Sequence, residues 1–159
     1  MKIKGQTISV RDFKVVIPIL RGENSIYLQA AMVNVDDFDA IYPQPIPDTI
    51  MRPGGVATKD LKKPAYVEAV TKRDNAFSNY MIIKSLLAGT EDLEFETINL
   101  KDPNTFQNIW KELQESISLS VKEQALIINA VLEVHGLDDA KVEAARKSFL
   151  SSGQSVPEA

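Results

Sequence analysis

The chain contains no cysteine, which removes disulfides, thiolate metal sites and cysteine nucleophiles together and fits a reducing compartment. Histidine is nearly as scarce: His135 is the only one in 159 residues, so imidazole chemistry has a single candidate. No apolar run approaches the roughly 20 residues needed to cross a bilayer. There is no basic excess either. The net charge is −4 and the pI about 5.1, which argues against nucleic acid or an anionic membrane as a partner. The start, Met1-Lys2-Ile3-Lys4-Gly5-Gln6, lacks the apolar core of a signal peptide, which predicts synthesis in the cytoplasm. What is present is an ordinary globular balance, 44% hydrophobic and 25% charged, on a chain long enough for one domain or a domain with a small appended unit.

Charge is uneven along the chain: +3 over residues 1–35, −4 over 36–102 and −3 over 103–159. A basic front and an acidic back suit steered association; the plainer reading is a mixed, solvated surface.

The first third reads as strands. Residues 13–20 and 25–33 are short apolar runs rich in β-branched side chains, separated by the turn residues Arg21-Gly22-Glu23-Asn24. This predicts a β-hairpin, with Pro18 marking an edge strand or a bend because it has no amide donor. Residues 3–10 are a candidate third strand. Residues 36–40 are long enough for one helical turn. From Pro43 to Pro64 the periodicity breaks: Pro43, Pro45 and Pro47 favour extended backbone, and Arg52-Pro53-Gly54-Gly55 favours a turn or joint.

From residue 65 the pattern becomes helical. Tyr66, Ala69, Val70, Phe77, Tyr80, Met81, Lys84 and Leu87 fall largely on one face, and Gly89 sits where a left-handed residue would close the helix. Residues 91–100 are acidic and read as a loop or a short strand. Asp102-Pro103 opens a further helix carrying Phe106, Ile109, Trp110 and Leu113. Ser120 and Glu123 have capping-box spacing before Leu126, Ile127, Ala130, Val131 and Val134, with Gly136 as the stop. Asp138 or Asp139 then caps a last helix with Val142, Ala145, Phe149 and Leu150.

These elements predict an α+β fold: an N-terminal β-hairpin or small antiparallel sheet over residues 1–42, a Pro/Gly-rich linker over 43–64, a bundle of three to four helices over 65–150, and a flexible tail over 151–159.

Motifs that carry chemistry are scarce. His135, just before Gly136, suits a helix C-terminus better than a catalytic role. Asp36, Asp37 and Asp39 lack the glycine and terminal glutamate of a calcium loop. Gly54-Gly55 lacks phosphate-loop spacing. Lys59-Asp60-Leu61-Lys62-Lys63 is short and reads as a solvated joint. The helices around Gly136 imitate a helix-turn-helix, but Asp138, Asp139 and Glu143 offset Lys141, Arg146 and Lys147, which disfavours phosphate contact. No catalytic residue, cofactor or metal ligand is assigned, and a non-catalytic protein is expected.

Several features together resemble a family. They are the Pro-rich crossing, the Pro64-Ala65-Tyr66 entry, the long helix with Arg73 and Tyr80, and the acidic loop. Trp110-Lys111-Glu112-Leu113 follows, then the Leu119-to-Glu123 entry, the stretch from Ala130 to Asp138, and the close from Ala144 to Leu150. Over roughly residues 40–150 this resembles the tail assembly chaperones of long-tailed bacteriophages. The resemblance implies a factor that binds the tape-measure protein in the host cytoplasm, keeps that long helical client soluble, assists recruitment of tail-tube subunits, and is absent from the mature virion. It implies neither a nucleic-acid nor a membrane partner, and it leaves a homo-oligomer open. Candidate anchors for the client are Phe106, Trp110, Leu113, Ile127, Val131 and Phe149, each also a candidate core residue. A structural protein of the tail or neck, whose strands augment a neighbour's sheet, is the first alternative. A small enzyme or DNA-binding regulator is the second.

Overall fold

A computed structural model describes residues 2–3, 6–7 and 13–151. They form an α+β fold. They fall into two compact units, one drawn from Met1–Val33, Lys84–Glu94 and Leu119–Ala159, the other from Asn34–Ile83 and Phe95–Ser118.

The first unit is built on the expected hairpin. Strands β3 (Lys14–Ile19) and β4 (Ile26–Ala31) pair antiparallel, with Ile17 opposite Leu28 and Ile19 opposite Ile26. Burial alternates along β3: Ile17 and Ile19 are buried, while Lys14, Val16 and Pro18 are exposed, as the two-residue period of a strand requires. Upstream, β1 (Lys2–Ile3) and β2 (Gln6–Thr7) pair with each other, so the expected third strand is in part a separate two-stranded ladder. Its residues 8–10 lie outside the described residues, as does the tail beyond Ser151.

Helix α4 (Val121–Val134) packs on both strands of the hairpin. It turns Ile127, Ala130, Val131 and Val134 inward. Burying each large aliphatic side chain of this layer contributes roughly 1.5–3 kcal/mol. Both ends of α4 follow the sequence. Ser120 and Glu123 form a reciprocal capping box. At the other end Gly136 takes φ +69°, its amide bonds the Glu133 carbonyl at 3.0 Å, and the Leu137 amide bonds the Leu132 carbonyl at 2.8 Å. That bond pair is a Schellman closure. Asp138 caps the following α5 (Asp139–Ser151) by accepting from the Lys141 amide at 3.2 Å.

The second unit centres on aromatic rings. Phe38, from the short helix α1 (Phe38–Ile41), lies 5.0 Å from Phe77 and 5.4 Å from Tyr80, whose ring is 5.1 Å from Phe106. Arg73 sits over the Phe38 ring at 5.0 Å and donates to the Tyr42 carbonyl at 2.8 Å. Helix α3 (Asn108–Ile117) adds Ile109 and Leu113 to this core. Asp102 caps a single 3-10 turn, Pro103–Thr105, and α3 begins after it. The acidic stretch resolves as irregular backbone rather than a strand. Glu112 holds it, accepting from the Glu96 amide at 3.0 Å and from the Thr97 amide and hydroxyl.

Helix α2 (Pro64–Gly89) carries residues of both units and differs from the one-face expectation. Its buried residues include Tyr80, Ile82, Ile83, Ser85 and Leu86, too many adjacent positions for one stripe. Gly89 does not close the helix with a left-handed turn. A Cβ placed there would lie 2.2 Å from the Gln29 carbonyl oxygen, so glycine is needed for close approach to β4. The Pro/Gly segment is also more ordered than a linker. Strands β5 (Thr49–Arg52) and β6 (Val56–Lys59) form an antiparallel hairpin within it.

Candidate interaction surfaces

The two edges of the β3–β4 hairpin differ. In an antiparallel pair, alternate residues aim their amide and carbonyl groups outward. On β4 those are Tyr27, Gln29 and Ala31, and side chains meet both groups of Gln29 and the carbonyl of Ala31. The Gln29 amide donates to Thr90 Oγ1 at 2.8 Å, the Thr90 hydroxyl donates to the Gln29 carbonyl at 3.0 Å, and Ser85 donates to the Ala31 carbonyl at 2.7 Å. Just beyond the strand the Val33 amide donates to His135 Nε2 at 3.1 Å, and His135 Nδ1 lies 2.7 Å from the Val131 carbonyl. This places the imidazole proton on Nδ1 and an acceptor at Nε2. The histidine therefore staples the end of α4 to the end of β4.

The outer edge of β3 has no such partner among the described residues. Lys14, Val16 and Pro18 stand opposite Ala31, Gln29 and Tyr27, so their backbone groups face away from the ladder. Pro18 is tolerated there because its missing N–H is not a ladder donor. Beside this edge lies a shallow groove of about 170 Å³, lined by Val16, Pro18, Leu126, Asn129 and Glu133 among others. Val16, Leu20 and Tyr27 are all more than half exposed.

The hairpin's turn is fixed to α4 by charge. Arg21 donates to both carboxylate oxygens of Glu123, at 2.6 and 2.7 Å. That bidentate bond, with the Ser120 amide, holds the Glu123 carboxyl down at about 2. In the second unit Tyr80 is buried and donates to Asp37 Oδ2 at 2.8 Å; burial first, then the Asp37 bond and charge, push its phenol up to about 12.

Two further surfaces are largely exposed. Helix α5 has no buried residue, and Val142, Phe149 and Leu150 lie open on it. The β5–β6 hairpin is an arm. Pro53 and Gly54, with φ +92° at Gly54 and the Gly55 amide bonding the Arg52 carbonyl at 3.1 Å, make its tip. At its base the Asp60 amide bonds the Asp48 carbonyl at 2.7 Å and Asp48 pairs with Lys63. Ile46 is 85% exposed and Met51 70%.

The six candidate anchors divide equally between the units. Phe106 and Leu113 in one, and Ile127 and Val131 in the other, are core side chains, the second of the two roles expected for them. Trp110 is half-buried and donates its indole N–H to Asn79 at 3.1 Å. Phe149 is 43% exposed. The edge character of β3 was expected from Pro18; the arm was missed. The signal for the arm was present in Thr49–Arg52 and Val56–Lys59, β-prone runs flanking Pro-Gly-Gly.

Among the described residues no three His, Asp or Glu side chains are arranged to hold a metal ion, and no helix is long and apolar enough to cross a membrane. Comparison with family models, curated proteins and solved structures returned no match.

Proposed function

We propose that the chain is a tail assembly chaperone of a long-tailed bacteriophage, a non-catalytic factor that binds the tape-measure protein in the host cytoplasm, assists assembly of the tail tube, and leaves before the virion matures. The family resemblance supplies the client. The observation that supports a binding role is α5, thirteen residues long with none buried. A helix of this length is marginal in water without tertiary packing. Val142, Ala145 and Phe149 follow at three- and seven-residue spacing, a stripe suited to another amphipathic helix, and a tape-measure protein offers such helices.

Co-expression with the tape-measure protein encoded in the same genome tests this. Wild type should raise the soluble fraction of the client and Phe149→Asp should not. An unchanged soluble fraction with wild type refutes the reading. A second reading, a structural protein of the tail or neck, is favoured by the open edge of β3, since an unpaired edge is a template for a neighbour's strand; it predicts the polypeptide in purified particles.

A further inference from the structure

In the second unit a cleft of about 280 Å³ lies between the middle of α2 and the turn that precedes α3. Its polar lining is Tyr42, Lys72, Asn75, Asn79, Asn104 and Gln107: four carboxamides, one cation and one phenol, with no acid among the described residues. We propose that this cleft binds a segment of another polypeptide in extended conformation, gripping its backbone through the carboxamides and an acidic side chain through Lys72.

The walls are held by the chain itself. The Trp110 indole donates to Asn79 Oδ1 at 3.1 Å. An indole nitrogen only donates, so this bond fixes which end of the Asn79 carboxamide is oxygen and leaves its Nδ2 protons for an acceptor. The Tyr42 carbonyl accepts from Arg73 at 2.8 Å, which ties Tyr42 to α2. On the far wall Asp102 accepts from the Asn104 amide at 3.1 Å, and the Thr105 hydroxyl bonds the Asp102 carbonyl at 2.7 Å. The side chains of Asn75, Asn104 and Gln107 make no hydrogen bond among the described residues, and Lys72 makes no ion pair among them.

Asn75 is the residue that local structure explains least. Asparagine is a poor helix former, and Asn75 stands in the interior of α2 with no bond to offset that. Residues that oppose local propensity without a compensating contact are expected where function needs them.

Spacing selects the ligand. Lys72, Asn75 and Asn79 are three and four residues apart and share one face of α2. At about 1.5 Å per residue, roughly 6 Å separates Asn75 from Asn79 along the helix axis. An extended backbone presents same-facing amide and carbonyl groups at every second residue, about 6.6 Å apart. The two asparagines therefore match alternate residues of an extended segment. A carboxamide both donates and accepts, as a peptide group does, and a cation with no acid beside it in the lining favours a carboxylate. A neutral sugar satisfies single carboxamides but supplies neither the repeat nor the charge. The site is independent of the chaperone reading and of α5, since it needs neither.

Two-dimensional amide NMR of the isotope-labelled full chain tests this with the blocked peptide acetyl-Gly-Asp-Gly-Gly-amide at millimolar concentration. The peptide should shift the side-chain NH2 signals of Asn75, Asn79 and Gln107 and leave the amides of Ile17 and Leu28 unmoved. The same peptide with lysine in place of aspartate should bind roughly threefold or more weakly, the scale of an exposed ion pair, and Lys72→Glu should reverse that order. Asn75→Ala should lose binding while melting at or above the wild-type temperature, which separates a ligand contact from a structural role. An acidic peptide that shifts none of these signals, equal shifts from glucose, equal binding of the two peptides, or binding unchanged in Asn75→Ala would each overturn the proposal.

Discussion

Replacing Gly89 by alanine separates local propensity from tertiary packing, because the two predict opposite signs. Gly89 is the last residue of α2, and on helix propensity alone alanine would stabilise by at most about 1 kcal/mol. The added Cβ, however, would sit 2.2 Å from the Gln29 oxygen, 2.7 Å from the Gln29 carbonyl carbon and 2.9 Å from the Ala30 carbonyl carbon. These are backbone atoms of β4, so no rotamer relieves the overlap. Either the overlap persists, at a typical overpacking cost of about 1–3 kcal/mol, or β4 withdraws. Withdrawal strains the two Thr90–Gln29 hydrogen bonds, each worth about 1 kcal/mol. Net destabilisation of about 1–2 kcal/mol follows, a fall in melting temperature of roughly 2–8 °C for a chain of this size. Urea titration followed by circular dichroism measures it, and faster exchange of the Gln29 amide locates it. A variant as stable as wild type, or more so, would refute the close approach of α2 to β4.

Three other outcomes follow from the same packing. Phe106→Ala should cost about 3–5 kcal/mol as a buried ring is deleted, whereas Phe149→Ala should stay within about 0.5 kcal/mol; urea midpoints compare them. For Tyr80 the folded phenol lies at about 12 against an ordinary 10, so the unfolded chain loses its proton first as pH rises. Stability should therefore fall by about 2–3 kcal/mol between pH 10 and 12, and Tyr80→Phe should remove that part of the slope. For Glu123 the folded carboxyl lies at about 2 against an ordinary 4.5, so its contribution is complete above pH 4.5 and disappears as pH falls toward 2. Acid titration of Arg21→Ala should show this dependence much reduced.

Local chemistry made part of this legible in the sequence. The hairpin around Arg21–Asn24, the Ser120–Glu123 box and the Gly136 stop are each decided within a few residues, and the chain keeps them. Gly89 was misread because its reason lies in β4, some sixty residues away, and a glycine at a helix end looks alike whether it supplies a left-handed turn or makes room. Helix α2 was misread because it is buried on more than one side, which blurs a single stripe. Periodicity marks which side chains are shielded but not whether the shield is the chain itself or a partner. Phe106, Leu113, Ile127 and Val131 therefore read equally as anchors or as core, and are core, while Phe149, Val16 and the arm are exposed.

Amide exchange of the full chain with and without the tape-measure protein is the most direct measurement of the proposed function. Binding through the last helix predicts slower exchange across Asp139–Ser151 when the client is present, with the amides of Ile17 and Leu28 unchanged. Identical exchange of that helix in the two states would contradict it.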